Sequence, residues 1–148
     1  MELKGFVFLL TLIAVCFNQC LAQEGKEITR IEFNSGTRTQ RQQVILTPDS
    51  IRIVREDFRV DQQPNIIDRT MSSKEWQNLI SSLNDVRLSE IKNLQSPTMK
   101  RTFDAAAHGS LIITTRNGDT YTHGFDDEQP HRKLRNLMSE IRRIRGKQ

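Results

Sequence analysis

The chain has 148 residues, of which 36% are hydrophobic and 27% charged, and its formal net charge is +4 at pH 7. That is room for one packed domain, and it excludes a multi-domain enzyme or a doubly wound nucleotide-binding fold. Both cysteines, Cys16 and Cys20, fall at the very start of the chain, so removing that stretch leaves no disulfide framework and no thiolate zinc site.

Residues 1–22 read as a secretory signal peptide. Lys4 supplies the positive start, the apolar run follows, and Cys20-Leu21-Ala22 precedes Gln23 as a cleavage site. The run is shorter than the ~20 residues a membrane-spanning helix needs. The expectation is therefore a single α+β domain over residues 23–148, secreted or periplasmic, with no transmembrane segment after processing near Ala22. Lipid anchoring at Cys16 or Cys20 is the alternative route. It is disfavoured because Val15 and Gln19 stand where a small residue belongs.

Residues 28–59 read as three strands. Their apolar runs are Ile31 with Phe33, then Val44-Ile45-Leu46, then Ile51 with Ile53-Val54, all but Phe33 and Leu46 of the β-branched type that suits a pleated surface. Thr47-Pro48-Asp49-Ser50 is a tight turn and Ser35-Gly36-Thr37 a looser one. Interleaved Arg52, Arg55, Glu56 and Arg59 imply one solvated sheet face. Residues 61–70, with Pro64, read as a loop.

Ser72-Ser73-Lys74-Glu75 has the spacing of a capping box. Trp76, Leu79, Ile80 and Leu83 then recur at helical period. Val86, Leu88, Ile91 and Leu94 continue as a shorter helical or irregular piece, and residues 95–109 break the pattern. Residues 110–125 read as a hairpin around Asn117-Gly118, a pair that tolerates positive φ at both positions. Asp126-Asp127-Glu128-Gln129 would place acids at the positive end of a helix opening at Pro130, whose apolar stripe is Leu134, Leu137, Met138, Ile141 and Ile144. The expected fold is thus α+β. It has an antiparallel β-sheet of about five strands with two amphipathic helices on one face, in the order βββ-α-ββ-α.

Chemistry-bearing residues are few. Asp104, His108 and His123 could form the acid–base or metal-binding set of a small hydrolase or metal-dependent enzyme, and Asp126, Asp127 and His131 lie near them in sequence. No His-Glu-x-x-His pair and no glycine-rich phosphate loop accompanies them. Surface histidines and capping aspartates account for the same residues. Ser72 and Ser73 are explained as caps. No catalytic, cofactor-binding or metal site is assigned, and no cofactor is expected. Arg132, Lys133, Arg135, Arg142, Arg143, Arg145 and Lys147 could present a basic face to an anionic polysaccharide or membrane surface. Cations in the last helical turn also complement the helix dipole. Export argues against nucleic acid as a partner, and no exposed aromatic series would stack bases.

Several features together resemble small exported bacterial proteins of the Bacteroidetes kind, families without an assigned activity. They are the leader ending Leu21-Ala22-Gln23, the opening Ile31-Glu32-Phe33-Asn34-Ser35-Gly36, Asp104 before Leu111-Ile112-Ile113, and Phe125-Asp126-Asp127 with Pro130, Leu134 and Leu137. The same order of elements is more faintly similar to emfourin-type inhibitors of thermolysin-like metalloproteases. That family tends to carry paired glycines and an aromatic where this chain has Gly36-Thr37-Arg38, and no inhibitory residue is carried over. A competent small fold without a catalytic constellation leads to the expectation of a non-enzymatic, protein-binding or inhibitor-like module. Its partner would be another exported or envelope protein, a protease among the candidates, met at an exposed sheet face or edge or at the loop over residues 95–109.

Overall fold

The computed structural model describes residues 27–100 and 107–146. The expected signal peptide, Cys16, Cys20, Asp104 and Lys147 lie outside the described residues. Six strands pair antiparallel in one sheet: β1 Ile28–Gly36, β2 Gln40–Leu46, β3 Ser50–Asp57, β4 Asn65–Thr70, β5 His108–Thr115 and β6 Thr120–Asp126. Helix α1, Ser73–Ser81, follows β4, and helix α2, Arg135–Gly146, closes the described chain. Across the sheet the order is β4-β3-β2-β1-β5-β6. Strand β1 therefore joins the first four strands to the late hairpin. No helix among the described residues is long and apolar enough to cross a membrane.

The α+β architecture agrees with the expectation, but the sheet has six strands and not five. Six of the ten residues read as a loop, Asn65–Thr70, are β4. Its Asn65-Ile66-Ile67-Asp68-Arg69-Thr70 lacks strict alternation, and Pro64 sits just before it, so period and breaker both pointed away from a strand. Pairing with β3, from Ser50↔Thr70 to Arg55↔Asn65, overrides that weak local pattern.

One face of the sheet makes the core. Ile31 and Phe33 of β1, Val44 and Leu46 of β2, Ile51 and Ile53 of β3, Leu111 and Ile113 of β5, and Phe125 of β6 are all 0–1% exposed. They form one cluster with Leu79 of α1 and with Leu137, Met138, Ile141 and Ile144 of α2. Each such side chain contributes about 1.5–3 kcal/mol on removal from water. The predicted stripe of α2 is buried throughout. In α1, Leu79 is buried while Trp76 and Ile80 are half-buried, and Leu83 packs from beyond the helix end.

Local signals account for the ends of α1. The Ser72 hydroxyl accepts from the Glu75 amide at 3.3 Å, and the Glu75 carboxylate accepts from the Ser72 amide at 3.2 Å, completing the capping box. Glu75 also takes both terminal nitrogens of Arg69, at 3.2 and 3.3 Å, and Arg69 reaches the Ile144 carbonyl near the end of α2. One guanidinium thereby ties β4 to both helices. The residues after α1 form a 3-10 helix, Leu88–Asn93, whose Ile91 is buried, and this segment packs against β6.

The late hairpin turns differently from the expectation. Only Gly118 has positive φ, at 84°, and the Gly118 amide donates to the Thr115 carbonyl. Arg116-Asn117 is therefore an ordinary right-handed turn, with the left-handed residue placed after it as in a three-residue hairpin loop. Helix α2 also starts later than Pro130. Pro130 is buried, Arg132–Leu134 is a short 3-10 turn whose Lys133 amide is capped by His131 Nδ1, and the α-helix opens only at Arg135. The preceding acids do not sit at the helix N-terminus. Glu128 pairs instead with Arg142 and Arg145 near the other end of α2.

Candidate functional site

The second face of the sheet is the more open one, covered among the described residues at its β6 end, where Thr98 reaches Asp126. Its side chains run in rows read directly from the strand register. The central row is Asp68, Arg52, Ile45, Glu32, Ile112 and Thr122. The next is Ile66, Val54, Gln43, Asn34, Ser110 and Gly124, followed by Glu56, Arg41, Gly36, His108 and Asp126. All of these are half-buried or exposed except Asp126. Charges are matched across strands, Arg52 to Asp68 at 3.7 Å and Arg41 to Glu56 at 3.8 Å, and along β1, Arg30 to Glu32 at 2.6 Å. Between them Ile45 and Ile112 flank Glu32, and Val54 and Ile66 stand side by side, Ile66 with 48% exposure.

At one end of this face a shallow cleft of about 490 Å³ opens over Gly36, lined by Asn34, Arg41, Gln43, Glu56, His108 and Ser110 among others. The Arg41 guanidinium lies over the exposed Phe58 ring, 5.6 Å from its centroid. Just beyond, Asp57 is held well below the usual carboxylate range by hydrogen bonds from the Arg59 side chain and backbone.

The sequence-derived candidates do not converge. His108 is exposed on the open face as the register partner of Asp126. His123 faces the opposite way, 2% exposed in the core, stacked on Phe125 at 5.5 Å. The sheet therefore stands between these two imidazoles. His123 Nε2 accepts the His131 backbone amide at 3.1 Å, which requires that nitrogen to be unprotonated and gives the ring a structural task. Asp126, 1% exposed, accepts from the Thr98 hydroxyl at 2.7 Å. Among the described residues, no three His, Cys, Asp or Glu side chains are grouped to hold a metal ion.

The basic face is partly neutralised, three carboxylates meeting four of its cations while Arg132 and Arg135 add charge beyond these pairs. Lys133 pairs with Glu90 at 2.8 Å, Arg143 with Glu140 at 2.7 Å, and Arg142 and Arg145 with Glu128 at 3.5 and 2.7 Å. Lys133 in turn holds Glu90 below its ordinary pKa. Burial pushes Glu128 upward, but the Arg145 and Arg142 guanidinium groups outweigh it and leave the carboxyl below its ordinary value.

Sequence reasoning missed that β4 borders the sheet, because β4 itself was hidden. It also missed the tight turn at Asp127-Glu128, where both residues have positive φ, 51° and 55°, and the Gln129 amide closes on the Asp126 carbonyl. Both central residues being left-handed marks the type I′ turn, which normally selects Asn-Gly. Nothing in Asp-Asp-Glu-Gln signals it. A scan against known protein-family models finds no match, and neither does a search of curated proteins.

Proposed function

We propose that this is an exported, non-enzymatic module that binds another polypeptide outside the cytoplasm, through the open face of its sheet. The observation that carries the reading is that a six-stranded sheet packs its core on one face only. It leaves Ile45, Val54, Ile66 and Ile112 set in a mosaic of matched charges on the other. Apolar points inside a polar, charge-balanced frame are the composition of a protein-recognition surface. The separation of His108 from His123 favours this over a hydrolase using both, and the pairing of Arg142, Arg143 and Arg145 favours it over a binder of anionic polysaccharide or membrane. Residues 1–22 support export.

The test is a pull-down from the native envelope or secreted fraction with the processed chain, run beside Ile45→Lys/Ile112→Lys and His108→Ala. A partner retained at high salt by the wild type and by His108→Ala, and lost with the double lysine variant, is the expected result. Turnover in a broad hydrolase screen that disappears with His108→Ala, or the absence of any salt-resistant partner, would overturn the reading.

A further inference from the structure

The two edges of the sheet are not equivalent. The β6 edge is flanked by the 3-10 helix Leu88–Asn93, and its end folds into the Asp126–Gln129 turn. Strand β4 borders the sheet on the other side. The phase of its hydrogen bonding follows from one contact: the Met71 amide donates to the Asp49 carbonyl at 3.1 Å, one step beyond the Ser50↔Thr70 pair. Because antiparallel bonding alternates, Arg69, Ile67 and Asn65 turn their backbone toward β3. Ile66, Asp68 and Thr70 turn theirs outward. The Thr70 carbonyl is taken by Arg69 at 3.3 Å. Two complete N–H/C=O pairs, at Ile66 and Asp68, are thus presented along the edge, and the Ile66 and Asp68 side chains point to the open face.

Edges of this kind are normally blunted by proline, charged side chains or a bulge, and the two charges of β4, Asp68 and Arg69, are already engaged within the fold by Arg52 and Glu75. Between Asn65 and Thr70 there is neither proline nor lysine, and the β3–β4 register runs without a shift. A row of alternating backbone donors and acceptors is complementary to the backbone of another extended strand and to little else.

The side chains decide whose strand it is. In a symmetric pairing of two copies, outward residues must face outward residues. Centring on Asp68 opposes two carboxylates, which is repulsive. Centring on Ile66 brings Pro64, which has no amide proton, into the ladder. Centring on Ile67 sets Ile66 against Asp68 twice, and centring on Arg69 sets Asp68 against Thr70 twice while carrying Ile66 out to Ser72, the cap of α1. The Ile66-centred register matches the two isoleucines at the loss of a ladder bond, and none of these registers gives Asp68 a cation.

We infer that β4 is a strand-addition site for an extended segment of a partner polypeptide. The segment carries, two residues apart on one face, a basic side chain opposite Asp68 and a β-branched apolar one opposite Ile66. This rests on the protein-binding reading and narrows it, from the open face in general to the edge that borders it.

The test uses the processed chain, ¹⁵N-labelled, titrated with the synthetic peptide acetyl-Ser-Thr-Lys-Thr-Val-Thr-Val-Ser-amide, and with a version N-methylated at alternate residues. The expected result is that amide exchange at Ile66 and Asp68 slows at least tenfold with the first peptide only. Asp68→Pro, which suits an edge position whose N–H faces solvent, should weaken binding at least tenfold with the spectrum elsewhere unchanged. Asp68→Lys should reverse the charge preference, favouring Glu over Lys in the peptide. Binding that perturbs Ile45, Val54 and Ile112 while Ile66 and Asp68 exchange as before would overturn the inference and leave the open-face reading standing. Absence of peptide binding at millimolar concentration, or a dimer in sedimentation equilibrium that Asp68→Pro dissolves, would also overturn it.

Discussion

Gly109 shows how much a single missing methyl group can decide. It lies on the core face of β5 opposite Phe125, and a Cβ built there would stand 2.7 Å from the edge of that ring. The ring has little room to retreat, because it stacks on Phe33 at 6.3 Å and on His123 at 5.5 Å. Gly109→Ala should therefore overpack the core and destabilise the fold by about 1–3 kcal/mol. Urea denaturation would show this as a lower midpoint at unchanged slope. An unchanged midpoint would mean the aromatic stack has slack and the packing argument is wrong. In the sequence Gly109 read only as the end of an irregular stretch. The alternation of Leu111 and Ile113 revealed which face was apolar, but a ring laid over a glycine depends on the exact register of the hairpin, which shifts with the turn type around Gly118. His123 shares its strand face with Phe125 two residues on, so alternation already placed it inward; what the sequence did not show is the His131 amide that satisfies its ring nitrogen.

At the scale of elements, the turn at Asp127-Glu128 is held against its own preference. Non-glycine residues with positive φ cost of order 1 kcal/mol or more each, and here two stand in succession. The compensation comes from α2: Arg142 donates to the Glu128 carbonyl, and Arg145 grips the Glu128 carboxylate at 2.7 and 3.2 Å while also reaching Gln42. Glu128→Gln should cost about 2 kcal/mol at neutral pH, in the range of hydrogen bonds to charged groups. The pH dependence follows from the sign of the shift. A carboxyl held below its ordinary pKa of 4.5 stabilises the fold above that pH, and the contribution fades as acidity protonates the folded state. The stability gap between wild type and Glu128→Gln should thus be full at pH 7 and narrow progressively below pH 4.5, as paired chemical denaturation series would measure. A gap independent of pH would remove the ionic staple from the account. Asp127→Gly supplies the converse, since its partner Lys100 is 57% exposed and the pair is worth little. Relief of the left-handed backbone should raise stability by about 0.5–1 kcal/mol. Legibility at this scale tracked local chemistry. The capping box of α1 and the stripe of α2 were visible because their partners lie within a few residues. The late start of α2 was not, because it follows from contacts between a turn and the far end of the same helix.

For the whole molecule, the pairing of β1 with β5 is the step that makes one sheet of two hairpin-and-helix halves. The sequence showed both halves and the face each would bury, but their order across the sheet is set by long-range register that no local pattern encodes. That order has a consequence for stability within the fold, because protection from exchange should be greatest where strands have neighbours on both sides. Amides of Ile31, Phe33 and Val44, in the doubly flanked β1 and β2, should exchange slowest in native-state hydrogen exchange. In β4 the protection should alternate along the strand: Ile67 and Arg69, bonded to β3, slow, and Ile66, Asp68 and Thr70, turned outward, fast. The alternation separates an edge that is open from one that is merely frayed, since fraying would speed all of these amides together. Uniform protection across β4 in the free chain would mean that the edge is already occupied, and the molecule would then meet its partner by its open face alone.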